Sequence, residues 1–207
     1  MNTTESNPNN PLDLYYEAQR LRNEGDPDSA LQCYSECLEL LDRNKDVLEQ
    51  MRILMEMEEV FGARGAHSKA MACLRTCLNY VQELGQEYEK SVVLHRMGHL
   101  LYRMEEYEKA MQRFEDSLRI SRSLGDQRGY ALSRAMLGKI QFSRGEVNEG
   151  LGLMVESMSI LHAINASEWE PLNEQIRKYR KQIPSSIYEL SVRTKTDDPE
   201  VVSLLLS

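Results

Sequence analysis

The chain repeats itself every 40 residues, and this limits its architecture more than any other feature. Ala30, Ala70, Ala110 and Gly150 stand one period apart, and each is small. Four residues on come Tyr34, Leu74, Phe114 and Met154, all large and apolar. Three beyond those come Cys37, Cys77, Ser117 and Ser157, small again, then Leu38, Leu78, Leu118 and Met158. Upstream, Ala18, Gly98 and Gly138 share a column broken by Glu58. Met57, Met97 and Leu137 share one broken by Glu17, and Leu14, Leu54 and Leu94 one that ends at Arg134. A period of this length describes one supersecondary unit that cannot bury its apolar face alone and must stack on its neighbours.

Each unit reads as two helices. Val92, Leu94, Met97, Leu101 and Met104 follow one another at largely helical steps, as do Ala110, Met111, Phe114, Leu118 and Ile120. Short breaks separate the two: Glu24-Gly25-Asp26-Pro27, Arg64-Gly65-Ala66-His67, Met104-Glu105-Glu106-Tyr107 and Arg144-Gly145-Glu146-Val147. Glycine at three of these four turns suits a left-handed helix end, and Pro27 suits a first helical turn. Between units, Gly85, Gly125 and Asn165 form a column of residues that tolerate the same conformation. Small residues let two helices approach, and the large residue four positions on fills the neighbouring gap.

The predicted units are 11–50, 51–90, 91–130 and 131–170. A cap is expected at 171–183, with Leu172, Ile176 and Tyr179 on its apolar stripe and Ser167 with Glu170 at capping-box spacing. Together these make a repeat domain over 11–183, with residues 1–10 expected to be disordered. The tail 184–207 lacks the repeat. Asp198-Pro199 there predicts a helix start ahead of Val201–Leu206, a short segment that must dock on the last repeats or on a partner. Deletion of 196–207 is expected to leave helicity almost unchanged.

Charge and targeting signals exclude several classes. With 25 Lys+Arg against 33 Asp+Glu, the net charge of −8 disfavours a nucleic-acid partner. The first ten residues have neither the basic nor the apolar region of a secretory signal, and no stretch is apolar over a membrane-spanning length. Four cysteines without such a signal are expected to be reduced thiols in a cytoplasmic protein.

The small and large columns resemble the tetratricopeptide repeat, a helix–turn–helix unit. Ala18, Gly98 and Gly138 match the family's small residue of the first helix; Ala30, Ala70, Ala110 and Gly150 match its alanine of the second. Tyr34 and Phe114 match its aromatic, with Leu74 and Met154 standing in. Met97-Gly98-His99-Leu100-Leu101-Tyr102 followed by Tyr107-Glu108-Lys109-Ala110 is the closest stretch. The 40-residue period and the Leu124-Gly125-Asp126 linker are similar to the long-helix subtype. The resemblance implies an all-α fold: a right-handed superhelix of four antiparallel helix pairs, a tetratricopeptide-like solenoid closed by a C-terminal capping helix.

No chemistry-bearing constellation competes with that reading. His95 and His99 have metal-ligand spacing but no evident third ligand. Cys33/Cys37 and Cys73/Cys77 form two Cys-x3-Cys pairs, yet Cys37 and Cys77 occupy the small packing column. Neither a phosphate loop nor a nucleophile elbow is present. No catalytic residue, metal or cofactor is therefore expected. The basic run at 177–195 reads as the solvated face of the cap.

The resemblance also implies a concave groove lined by the first helices. Carried over by register, its residues are Leu12, Tyr15, Gln19 and Arg22; Arg52, Met55, Glu59 and Gly62; Val92, His95, His99 and Tyr102; Leu132, Ala135, Lys139 and Phe142. Aromatics interleaved with donors suit a peptide. Tyr102 and Phe142, one column apart, are expected to bracket an apolar side chain, with Arg52 and Lys139 receiving acidic or carbonyl groups. Tyr15 and Gln19 stand where chaperone-binding relatives carry a Lys/Asn carboxylate clamp, so that clamp is absent. The function implied is a non-catalytic scaffold or adaptor that holds a peptide or helix of another protein. The alternatives are a small acidic cytosolic chaperone for a secreted client, the regulatory subunit of an enzyme, or a self-assembling array.

Overall fold

The computed structural model describes residues 10–42 and 45–207. Most of the stretch expected to be disordered lies outside them, but Asn10 lies inside, as the N-cap of the first helix. The described residues form eleven helices in two compact units, divided after Gln86. In unit 1, α1 (Pro11–Asn23) pairs with α2 (Pro27–Leu40), and α3 (Val47–Ala63) with α4 (His67–Glu83). In unit 2, α5 (Glu87–Arg103) pairs with α6 (Tyr107–Leu124), and α7 (Gln127–Ser143) with α8 (Val147–Ala163). Three more helices follow: α9 (Trp169–Arg180), α10 (Ser185–Lys195) and α11 (Pro199–Leu206).

The helix boundaries follow from local chemistry. Asn10, Asp26 and Asp126 each accept a backbone N–H at a helix start, from Leu12, Ser29 and Gly129. Gly25, Gly65 and Gly145 end first helices at positive φ; the fourth such turn uses Glu105 at φ 60°. The capping box expected at Ser167 does not form. Helix α9 begins at Trp169, with Glu168 at its N-cap and no side-chain cap bond. Glu168 is instead ion-paired with Arg128.

The small and large columns are the core. Ala30, Ala70 and Ala110 are fully buried, as are Tyr34, Leu74, Phe114 and Met154. Glu58, the departure from the small column, is buried and engaged rather than exposed. In unit 2 the approach of α7 to α8 is backbone on backbone: a Cβ built on Gly150 would lie 2.5 Å from both the Gly138 carbonyl oxygen and the Phe142 nitrogen.

The Cys/Ser column does more than fill space. Cys37 donates to the carbonyl of Pro11 at 3.0 Å, Cys77 to that of Met51 at 3.7 Å and Ser117 to that of Ser91 at 2.9 Å. Pro11, Met51 and Ser91 are themselves one period apart, so each bond ties a second helix to the start of its own first helix. Ser157 breaks the series and bonds Leu153 within α8. The four cysteines are free, and all but Cys33 are buried. Burial pushes the Cys73 thiol up to about 11.

The expected single capping helix is the first of three, and of the two docking places expected for the tail, the last repeats or a partner, it takes the first. Val201 and Leu205 of α11 are fully buried in a cluster with Leu151, Val155, Ile176, Tyr188 and Val192. Asp198 caps α11 through the N–H groups of Glu200 and Val201, and the Tyr188 hydroxyl donates to the Leu205 carbonyl at 3.0 Å. Gly152 leaves room for the Lys195 stem, which a Cβ there would meet at 2.9 Å.

Candidate functional site

Most of the groove residues expected in unit 1 are engaged with neighbours, while Leu12 and Arg52 stay exposed beside a cavity of about 190 Å³. Tyr15 is buried; its hydroxyl accepts from Gln19 Nε2 at 2.9 Å and donates to Glu56 Oε1 at 3.4 Å. Burial, and then Glu56, push that hydroxyl's pKa up. The Arg52 guanidinium sits 4.9 Å from the centre of the Tyr15 ring. Arg22 ion-pairs with Glu56 and, at 3.3 Å, with Glu59. Met55 is half-buried and already has a partner.

Unit 2 differs, and the difference begins at Gly98. Without a side chain there, the Phe114 ring moves in to where a Cβ would be 2.7 Å away. His95 and His99, one helical turn apart on α5, stand edge-on to that ring at 5.4 and 5.5 Å and to each other at 4.7 Å. His95 also ends a chain of serines. Its Nδ1 lies 2.9 Å from Ser133 Oγ, Ser133 donates to Ser117 Oγ at 3.1 Å, and Ser117 donates to the Ser91 carbonyl. Ser91 Oγ continues to Ser121 Oγ at 2.9 Å, and Ser121 donates to Asp126 Oδ2 at 3.2 Å. The sequence marked Ser117 as small but gave no reason to link it to His95.

Burial, followed by the charges of His99, Arg96 and Arg128, pushes His95 down to about 3. Burial against its neighbours, then Lys139, Arg96 and Arg103, push His99 down to about 4, although solvent reaches part of this residue. Neither imidazole has the company a metal needs: among the described residues, no group of three or more His, Cys, Asp and Glu could hold an ion.

Lys139 lies on α7 with its ammonium 4.9 Å from the centre of the Tyr102 ring. Burial lowers its pKa, and no carboxylate among the described residues pairs with it. Phe142 does not join Tyr102 as an open anchor. Its ring is stacked on Tyr179 of α9 at 3.8 Å and is buried, so the expected bracket around an apolar side chain is not there. The C-terminal helices take Phe142 into their own core. What stays open is a cavity of about 290 Å³ lined by His95, His99, Leu132, Met136, Lys139 and Leu172, among others. A larger hollow of about 420 Å³ lies at the α6–α7 turn, beside Ser121, Tyr130 and Ile160; no expected groove residue lines it.

His95 should make unit 2 sensitive to acid. Its folded pKa lies below the ordinary histidine value of about 6.5. The unfolded chain therefore binds the proton first, and stability is lost as pH falls from about 6.5 toward 3. Between pH 7 and 5 the loss from this residue should reach up to about 2 kcal/mol. Chemical denaturation across that range should show a flatter dependence for His95→Gln; an equal slope would remove His95 as the cause.

Antiparallel helix pairs and small-residue crossings define a helical-repeat protein. Residues 92–124 match the tetratricopeptide repeat family, so the chain carries a tetratricopeptide repeat within a tetratricopeptide-like solenoid fold. Among solved structures, BtubC (BKLC) from P. vanneervenii is similar with a TM-score of 0.72 and 14% identity, over 94% of this chain and 80% of that one. A kinesin light chain-like protein of Podospora anserina with nearly identical TPR-like repeats gives 0.62 and 13%, over 97% and 93%. No curated protein matches the chain in sequence. No helix among the described residues is long and apolar enough to cross a membrane.

Proposed function

We propose that the chain is a non-catalytic protein–protein interaction scaffold or adaptor of the cytoplasm. It holds a peptide or helix of another protein against His95, His99, Tyr102 and Lys139. Tetratricopeptide repeats generally mediate such interactions, which supports the class. The location draws on the free thiols, which suit a reducing compartment. The observation that carries the site is the gathering of His95, His99 and Lys139 on one open cavity, with no carboxylate paired to Lys139 among the described residues. In unit 1, Tyr15, Gln19 and Glu59 are engaged with their neighbours, and Arg52 lies over the Tyr15 ring beside a smaller cavity. A partner that supplies groups to the His95 cavity gains bonds that the free chain lacks.

The test is capture of the partner from the native source. Tyr102→Ala combined with His99→Ala should weaken capture by roughly thirtyfold, the usual loss at an anchoring aromatic, with a nearly parental melting temperature. Arg113→Ala on α6 serves as the control and should bind as the parent does. If Arg113→Ala loses the partner and the groove variant keeps it, the binding face lies elsewhere.

A further inference from the structure

The serine chain fixes which nitrogen of His95 carries its proton, and with it what the cavity can recognise. The Ser91 carbonyl only accepts, so the Ser117 hydroxyl is spent on it at 2.9 Å. Ser117 Oγ must then accept from Ser133, whose own hydroxyl is spent in turn at 3.1 Å. Ser133 Oγ is left with lone pairs only, so the contact at 2.9 Å is His95 Nδ1–H donating to it. A neutral imidazole with its proton on Nδ1 has a bare lone pair on Nε2. His95 lines the 290 Å³ cavity, and Nε2 has no hydrogen-bond partner among the described residues. The downward pKa shift, to about 3, keeps that lone pair free at neutral pH.

We infer that this cavity is a subsite for a primary carboxamide, the side chain of an asparagine or glutamine of the bound segment. The inference rests on the groove reading proposed above and names the chemistry that the groove selects. His95 Nε2 asks for a hydrogen-bond donor, and Lys139, in the same lining with its ammonium over the Tyr102 ring, asks for an acceptor. An amide offers both on adjacent atoms. A carboxylate suits Lys139 but sets lone pair against lone pair at His95. An ammonium or guanidinium suits His95 but is repelled by Lys139, and Glu168, the carboxylate of the lining, is already ion-paired with Arg128. Leu132, Ala135, Met136 and Leu172 supply apolar surface for the methylene stem.

The full chain, labelled with ¹⁵N at histidine, tests this with probes that share one carbon skeleton: butyramide, butyrate, butylamine and N-methylbutyramide. His95→Gln assigns the His95 signals. In the free protein His95 should show the proton on Nδ1. Butyramide should move Nε2 saturably, at a concentration about tenfold lower than butyrate requires, since the wrong head group leaves a cavity acceptor unpaired. Butylamine should leave it unmoved. Ser133→Ala should abolish the fixed tautomer and the response to butyramide together, while His162 stays as in the parent. A proton on Nε2 in the free parent overturns the inference, as does butyrate binding as well as the amide. Equal binding of N-methylbutyramide would make this a main-chain site and overturn it too. Should Tyr102→Ala with His99→Ala lose the partner while butyramide leaves His95 unmoved, the groove stands and only the carboxamide assignment falls.

Discussion

Gly150→Ala should destabilise unit 2 by about 2 kcal/mol or more, although alanine is the better helix former by about 1 kcal/mol. The added methyl would sit 2.5 Å from the Gly138 oxygen and the Phe142 nitrogen and 2.9 Å from Phe142 Cα, all of them backbone atoms. No rotamer change relieves such a clash; α7 and α8 must move apart, and Phe142 with them. Gly98→Ala is the informative comparison. The three atoms nearest its methyl all belong to the Phe114 ring, which can tilt, so its cost should be smaller. Denaturant unfolding of the two variants measures both. A Gly150→Ala chain as stable as the parent would mean that the two helices separate freely.

Removal of residues 197–207 should cost several kcal/mol and more helicity than the eight residues of α11 contain. Val201 and Leu205 are fully buried, and their loss uncovers Tyr188, Ile176 and Leu151. Leu205→Ala alone should cost about 2–5 kcal/mol. Far-UV circular dichroism against temperature reads both, and a truncated chain with the parental melting curve would make the tail separable after all. The sequence expects Val201–Leu206 to dock on the last repeats or on a partner, and the structure takes the first course; what changes is the expectation that helicity survives deletion of the tail. An eight-residue helix is indeed marginal alone, but α11 gains its stability from the surface of α8, α9 and α10.

The helix pairs, the small columns and most turns were legible because the period constrains each of them several times over. Ala30, Ala70 and Ala110 support one another as evidence, and the structure buries all three. The C-terminal region occurs once and offers no such redundancy, so α10 and the packing of α9–α11 had to come from tertiary structure. The same lack explains Phe142. Its column named it as a groove residue, but Tyr179, beyond the last repeat, covers it. Register likewise identified Tyr15, Gln19 and Glu59 without showing that Tyr15 bonds Gln19 and Glu56 or that Arg22 pairs with Glu59. The serine chain was the least visible feature, since Ser117, Ser121 and Ser133 are distant in sequence from His95 and only folding aligns their hydroxyls.

The bonds from Cys37, Cys77 and Ser117 to the starts of their own first helices have a consequence for insertions and deletions. Each bond closes a ring of chain of identical span, from Pro11 to Cys37, from Met51 to Cys77 and from Ser91 to Ser117. One residue added inside a ring rotates the donor off its carbonyl and turns the small column away from its crossing. The linkers between second and first helices lie outside any ring. The chain already varies there: α2 ends at Leu40 with α3 beginning only at Val47, whereas α6 runs to Leu124 and α7 begins at Gln127. Length variation among chains built on this plan should therefore collect in the stretch between rings, which makes the linkers natural points for lengthening or splicing the array.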